Sequence, residues 1–351
     1  MAIVRLGDVC DIFIGKTPST KNNDYWSSND IKFLNGSLND YRYISKYALE
    51  KCNMKLTKKN KGFLMSILGN LYFKFSDDEY SFNQQVAYIS VLDKGILPKY
   101  LFYKFINDES LIKNYMFGTT VKHLNKRIIE NIDTQIPSIN NQQKIIDIIE
   151  PFEVMQNYIN QKLNKMNYFL IDFYKWLKTK NKIEFNKLCN IYSKKYNNQK
   201  FYVDTSSVKT SIIKHPAYLK KKKSRSNLTV ALNSIIFSKL RGENKVYPIF
   251  KESLLGNVYS TGFINIISDY SAYVYGFLLS NDFITLKNNN SVGTLMEGIN
   301  NKIVNNWYIN ELNYEKWNKD FDLSLALINY YNELIIKIDK IIKLLLSLYI
   351  S

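Results

Sequence analysis

The chain has 351 residues with 48 Lys and Arg against 31 Asp and Glu, a formal net charge of +17, and 46% hydrophobic residues. That is long enough for two or three domains with cores of their own, and basic enough to favour a polyanionic partner: DNA, RNA or an anionic membrane surface. No window approaches the roughly 18 consecutive apolar residues of a membrane span, and the N-terminus lacks a charged-then-apolar leader, so a spanning segment is excluded and a cytoplasmic location is expected.

In chain order, the runs at residues 12–14, 31–34, 63–68 and 86–92 are β-branched and aromatic and are separated by Gly, Asn, Asp and Ser. They read as strands and turns. Residues 101–106 and 111–115 read as helix, and the mixture predicts an α+β domain.

Beyond Pro137 the texture changes. Ile145, Ile148, Phe152, Met155, Ile159, Met166, Phe169 and Phe173 follow a three-four spacing, broken once at Lys162, where Leu163 covers. This is a heptad seam, in which Pro151 should bend the helix or mark a restart. Phe321, Leu325, Ile328, Tyr331, Ile335, Ile338, Ile342, Leu345 and Tyr349 repeat the spacing at the C-terminus. Packing on its own domain explains one such helix, but two of them closing two similar halves are expected to pair antiparallel.

The halves are similar because the chain contains itself twice. Residues 118–132 overlay residues 293–307 at a constant offset, Gly118 on Gly293, with Thr119/Thr294, Asn125/Asn300 and Ile128/Ile303 identical. Val121/Met296, Leu124/Ile299 and Arg127/Lys302 keep their character. A second echo joins Val9-Cys10-Asp11-Ile12-Phe13 to Leu188-Cys189-Asn190-Ile191-Tyr192. A period this long implies two similar domains and not a solenoid. Cys10, Cys52 and Cys189 form no CxxC pair, so neither a disulfide framework nor a zinc ribbon is indicated, and Cys10 and Cys189 read as small buried residues.

Catalytic constellations are missing. His123 and His215 are the only histidines, too few for a metal cluster, and no phosphate-binding glycine loop or Asn-Pro-Pro-Tyr methyltransferase signature occurs. Glu243-Asn244-Lys245 has the Glu-x-Lys shape of a metal-dependent nuclease, although three residues match so often by chance that a solvated turn after Gly242 is the plainer reading.

The order Arg5-Leu6-Gly7-Asp8-Val9, then Gly118-Thr119-Thr120-Val121-Lys122-His123-Leu124-Asn125-Lys126, then Ile136-Pro137-Ser138 leading to Gln142-Gln143-Lys144 resembles the specificity subunit of type I restriction-modification systems. The second half departs from it, with Leu312, Trp317 and Asn318 where the first has Pro137 and Gln142-Gln143. Tyr259-Ser260-Thr261-Gly262-Phe263 and Tyr273-Val274-Tyr275 still match, the latter on Tyr100-Leu101-Phe102. The resemblance implies two pseudo-symmetric target recognition domains separated by two long antiparallel coiled-coil helices. These would be recognition domain 1 at 1–142, a central spacer helix at 143–181, a diverged recognition domain 2 at 182–316, and a C-terminal spacer helix at 317–351. It implies a split duplex DNA target, docking of two methyltransferase subunits and of restriction and translocase subunits, and no membrane. S-adenosylmethionine, ATP and Mg would sit on those partners, with no cofactor bound by this chain and no catalysis by it. A stand-alone nuclease or modification enzyme with an unrecognised active site is the alternative, and an RNA- or membrane-associated coiled-coil scaffold a third.

A DNA binder needs phosphate anchors and base readers. Lys16, Thr17, Ser19, Thr20 and Lys21 form a basic, hydroxyl-rich loop after a predicted strand. Gln84 and Gln85 precede another strand and can read adenine or merely complete a turn. Lys122, Asn125, Lys126 and Arg127, echoed by Asn300, Asn301 and Lys302, offer DNA contacts or a capped helix with solvated cations. Lys220, Lys221, Lys222, Lys223 and Arg225 are the densest positive run, suited to phosphate without base reading. The aromatics, 15% of the chain, are expected mainly in cores and interfaces and not as base-stacking platforms.

Overall fold

The structure, a computed structural model, describes residues 2–38, 41–196, 198–214, 216–221, 223–293 and 297–350. His215, Lys222 and Thr294 lie outside the described residues, as do Leu295 and Met296. The chain divides into one unit of Met1–Glu153 with Ile341–Ser351, and a second of Val154–Lys340.

The first unit is built on a four-stranded antiparallel sheet in the order Cys10–Ile14, Val86–Val91, Gly62–Ser66, Phe73–Phe75. Ile12 and Phe63 both lie opposite Ile89. Because strand side chains alternate between faces, Phe63 meets the helix Pro98–Asn107, its ring centroid 6.0 Å from Phe102 and 5.0 Å from Phe105. A second sheet runs Trp26–Ser27, Tyr41–Ile44, Ile31–Leu34, Tyr80–Phe82, its last two strands parallel. Ala2–Arg5 pairs antiparallel with Asp133–Ile136.

The second unit repeats this plan. Its four-stranded sheet runs Asn190–Ile191, Phe263–Ile267, Ser234–Ser238, Val246–Ile249. A five-stranded sheet again contains one parallel pair, Phe201–Val203 beside Asn257–Ser260. Lys178–Glu184 pairs with Tyr308–Leu312 as Ala2–Arg5 does with Asp133–Ile136. The helix Ser271–Leu279 is apolar on all sides and every residue of it is buried, as a helix without a polar face must be. Tyr100-Leu101-Phe102 and Tyr273-Val274-Tyr275 fall in corresponding helices. Cys10 and Cys189 are buried at corresponding positions, where burial pushes the Cys10 thiol up to about 12 and the Cys189 thiol upward too.

Two long helices follow the domains, with bounds that correct the expected ones. The central helix is Ile139–Leu177 and not 143–181, because residues from Lys178 onward pair as a strand with Tyr308–Leu312. Its start is set by Gln142, wholly buried, which accepts from the Leu97 N–H at 2.7 Å and donates to the carbonyls of Gly95 at 2.8 Å and Pro137 at 2.9 Å. The C-terminal helix is Leu323–Tyr349 and not 317–351, since residues 319–322 form a separate 3-10 turn capped by Asn318. Pro151 does not restart the helix. A single proline removes one intrahelical hydrogen bond, which a helix of 39 residues buried along one side absorbs.

Within the second unit the two helices run antiparallel: the Phe173 ring lies 4.2 Å from Phe321, and Gln156 Nε2 donates to the Ile335 carbonyl at 3.5 Å. The seam also slips by one residue. Met155 and Phe169 are 52% and 48% exposed, whereas Leu163 and Leu170 are buried. At the C-terminus Tyr349 is 51% exposed and Ile350, in the first unit's core, takes its place. A helix of 3.6 residues per turn drifts against a strict heptad, so an apolar residue one position on becomes the buried one.

Asp322, in the turn before the C-terminal helix, accepts the Ala272 N–H at 2.7 Å and so serves the otherwise uncapped start of the helix Ser271–Leu279. Burial raises its carboxyl to about 6, with Asp269 also raising it and the Ala272 N–H and Lys319 opposing. Because the folded value lies above the unfolded value of about 4, the folded state resists ionisation, and stability falls as pH rises from about 4 to about 6. Asp322→Asn keeps the acceptor without the charge. It is expected to stabilise the protein above pH 6 by about 1–2 kcal/mol, discounted for partial exposure, with no gain below about pH 4 in chemical denaturation.

Candidate nucleic-acid interface

In the first unit the predicted segments converge through main-chain hydrogen bonds. The strand Cys10–Ile14 runs into the basic loop, where Gly15 N donates to the Val86 carbonyl and Lys16 N to the Phe82 carbonyl, both at 3.0 Å. Thr17 Oγ1 donates to Gln84 Oε1. Ile67 N donates to the Gln85 carbonyl, Leu124 N to the Ile67 carbonyl, and Gly69 N to the Lys122 carbonyl, each at 2.9 Å. The basic loop, the 83–85 turn, the tip of the 62–75 hairpin and the 117–125 loop are therefore laced side by side. Lys16, Thr17, Gln84 and Lys122 are exposed along this line, and Gln85 is half-buried beside Gly36. Ser19, Thr20 and Lys21 are exposed in the same loop, with the Ser19 carbonyl taking the Trp26 indole N–H at 3.2 Å.

Some candidates carry structural duties. Asn125 Oδ1 accepts the Ile128 N–H at 2.9 Å and caps the helix Lys126–Glu130. Its carboxamide oxygen serves the cap as that of Gln84 serves Thr17, which leaves each side chain its amide hydrogens and one oxygen lone pair for a base. Lys126 faces Glu130 at 3.6 Å one turn on, while Arg127 is exposed. The Lys16 ammonium donates to the Asn53 carbonyl at 3.2 Å.

The second unit reproduces the bonds that join the hairpin tip, the turn and the loop before the capped helix. Lys239 N donates to the Gly262 carbonyl at 2.9 Å, Ile299 N to the Lys239 carbonyl at 3.0 Å, and Arg241 N to the Glu297 carbonyl at 3.0 Å. Phe117 and His123 exchange N–H and C=O, and so do Val292 and Gly298. Asn300 Oδ1 accepts the Ile303 N–H at 3.0 Å, the counterpart of the Asn125 cap, with Asn301 and Lys302 exposed beyond it.

The positive run joins this surface from one side. The Arg225 carbonyl accepts the Thr261 N–H at 2.9 Å, and Thr261 in turn offers its carbonyl to Lys239 Nζ at 2.8 Å, where burial lowers the Lys239 ammonium. Lys220, Lys221, Lys223 and Arg225 are exposed. Lys223 is held by a turn in which its N–H donates to Ser226 Oγ at 2.8 Å, and its ammonium lies 5.2 Å from the Tyr202 ring centre. Lys223 and Arg225 are thus held in place by main-chain bonds.

Sequence reasoning missed Lys239, Arg241, Thr261 and Glu297. The hydrogen bonds equate Ile67 with Lys239 and Gln85 with Gly262, offsets that differ from the one relating Lys122 to Glu297, so a single linear overlay never aligns all three. The available signal was Gly242, with φ of +73°, marking a tight hairpin tip between two β-branched runs.

Glu243 is not free to hold a metal. Ser238 Oγ donates to its Oε2 at 2.6 Å, and Lys245 Nζ lies 2.7 Å from its Oε1. Beneath this turn Lys287 is buried and donates to the Glu243 carbonyl, and burial lowers its ammonium to about 8. Among the described residues no group of three or more His, Cys, Asp or Glu is arranged to hold a metal. No helix among them is long and apolar enough to cross a membrane. Tyr103, Tyr174, Tyr273, Phe63 and Phe237 are among the largest buried side chains, which places much of the aromatic content in cores.

Residues 1–168 match the family model described as type I restriction modification DNA specificity domain. The chain is 26% identical over 191 residues to the type I restriction enzyme MjaIX specificity subunit of Methanocaldococcus jannaschii, covering 49% of this chain and 44% of that one. Against the MjaVIII specificity subunit of the same organism it is 34% identical over 68 residues, 19% of this chain and 16% of that one. These matches span less than half the length of either relative. The solved S subunit of a type I restriction-modification system from M. genitalium aligns over 99% of this chain and 93% of its own, at 11% identity and a TM-score of 0.48.

Proposed function

We propose that this chain, whose residues 1–168 match the type I restriction modification DNA specificity domain, is a sequence-recognition subunit that binds a two-part duplex target, one part to each unit. The doubled loop lacing carries the reading. In both units main-chain bonds join the same three segments, a hairpin tip, the turn before a central strand and the loop before a capped helix, and each set presents cations and hydrogen-bonding side chains outward. Lys16, Lys21, Lys122 and Arg127, with Lys220, Lys221, Lys223, Arg225 and Lys302, serve as phosphate anchors, and Gln84 and Gln85 as base readers. The long helices act as the spacer between the two segments read.

The partners follow from the same reading. Val154, Tyr158, Tyr168 and Trp176 of the central helix are 54–69% exposed. An apolar stripe of this kind suits a docked subunit better than water, and two methyltransferase subunits, with restriction and translocase subunits beyond them, are the occupants proposed. S-adenosylmethionine, ATP and Mg belong to those partners in this reading, and a cytoplasmic location suits a DNA-binding role.

The purified chain is expected neither to methylate nor to cut DNA by itself. Methylation of a two-part sequence is expected once a methyltransferase subunit is added, measured by transfer of labelled methyl groups to plasmid DNA. Metal-dependent cleavage by the chain alone would replace this proposal with that of a stand-alone nuclease, and tighter binding to RNA than to duplex DNA would point to a scaffold.

A further inference from the structure

The two units present opposite charge arrangements on one main-chain frame. Where the first has Gly69 bonded to the carbonyl of Lys122, the second has Arg241 bonded to the carbonyl of Glu297. A glycine and a lysine have become an arginine and a glutamate. The new side chains find each other: Arg241 Nη1 pairs with Glu297 Oε2, the two 52% and 40% exposed.

Stability does not account for this exchange. An ion pair this open to water is screened and contributes little to stability. The tip that carries it is nevertheless held from below. Gly242 N donates to Asn288 Oδ1 at 3.0 Å, and Lys287 ties the Ser238 and Glu243 carbonyls to the helix Asn281–Asn290. A fixed hairpin tip with an oriented arginine is organised to present its guanidinium and not to bury it.

Guanidinium chemistry then narrows the role. The group is planar, carries five N–H donors, and meets the O6 and N7 acceptors of guanine bidentately. Glu297 occupies part of that fork and so fixes the plane of the rest. Its negative charge also disfavours a phosphate beside Arg241, whereas the neighbouring Lys239, Arg225 and Lys302 carry no such companion among the described contacts. A cation meant for the backbone gains nothing from an adjacent carboxylate, but a cation meant for a base edge gains orientation and selectivity.

We propose that Arg241, positioned by Glu297, reads a guanine in the DNA segment bound by the second unit, so that this unit selects its target with an arginine where the first uses the glutamines of the 83–85 turn. This rests on the proposed reading of the chain as a two-part DNA binder.

The test is binding-site selection from random duplexes with the full chain and its methyltransferase partner, run in parallel on wild type, Arg241→Ala, Arg241→Lys and Glu297→Gln. Wild type is expected to require guanine at one position of one segment. Arg241→Ala is expected to lower discrimination there by roughly 10- to 100-fold while preferences in the other segment stay intact, an internal check that the protein is folded. Arg241→Lys keeps the charge but not the fork, so it is expected to lose the guanine preference and retain most of the overall affinity. Glu297→Gln is expected to weaken the same preference and raise binding to unrelated sequences. Uniform weakening by Arg241→Ala on every sequence makes the residue a phosphate anchor and overturns the assignment, as does an unchanged selected sequence. If wild type selects no sequence at all, the two-part DNA reading itself falls, an outcome distinct from a selected sequence that is indifferent to Arg241.

Discussion

Gly276→Val is expected to abolish cooperative folding of the second unit. Gly276 sits in the buried helix Ser271–Leu279, and a Cβ placed on it would lie 2.1 Å from the Leu170 carbonyl oxygen and 2.9 Å from Tyr174 Cβ. Leu170 and Tyr174 belong to the central helix and are wholly buried, so neither has space to retreat. Main chain of one helix meets main chain of the other here, and the overlap is not relieved by a rotamer change. The loss is expected to be about 3 kcal/mol or more, a large share of the stability of a typical domain. Urea denaturation followed by circular dichroism, with limited proteolysis to map the cleaved region, checks it. A native-like transition and an intact 154–340 region would show that the helices have more freedom to separate than their packing indicates.

Gly15→Ala is expected to disable the first unit's proposed DNA surface while leaving the second untouched. A Cβ at Gly15 would fall 2.2 Å from the Asn83 carbonyl oxygen and 2.3 Å from that of Phe82. Those carbonyls belong to the turn that holds Gln84 and Gln85, so a single methyl group drives the basic loop away from the glutamines. The bonds from Gly15 N to Val86 and from Lys16 N to Phe82 are lost with it. Recognition of one segment is expected to fall by at least roughly tenfold, equivalent to 1.4 kcal/mol, with the other segment still selected. Footprinting on a two-part target reads both at once, and equal protection of both segments by the variant would separate the 15–21 loop from DNA contact.

Much of the fold was legible because local chemistry and tertiary context agree. The β-branched runs at 31–34 and 86–92 became strands at Ile31–Leu34 and Val86–Val91, and the overlay of residues 118–132 on 293–307 marked a loop and a capped helix that the two units do share. Shorter strands carry no period to read: Lys194–Lys195 left no trace, and Asn190–Ile191, also two residues, was marked only by its echo of residues 9–13. The seam was placed by hydrophobicity alone, which cannot tell Phe169 from Leu170 when both are apolar. Burial in the second unit's core decides that choice, and that core includes residues over a hundred positions away, Tyr273 and Phe277 among them. The surface was legible where its residues cluster in sequence, as in the 16–21 loop. It was illegible where a hairpin tip supplies one residue and a distant loop the other, as with Arg241 and Glu297.

The lacing of the recognition loops is made wholly of peptide groups. Ile67 and Lys239, Gln85 and Gly262, Lys122 and Glu297 occupy equivalent places and share no chemistry, yet the same N–H and C=O partners meet in both units. A frame that asks nothing of these side chains leaves them open to replacement, so on the proposed reading a new sequence preference can arise by a few codon changes that leave the frame intact. The two halves of this one chain are then two outcomes of that freedom, carried side by side in a single gene.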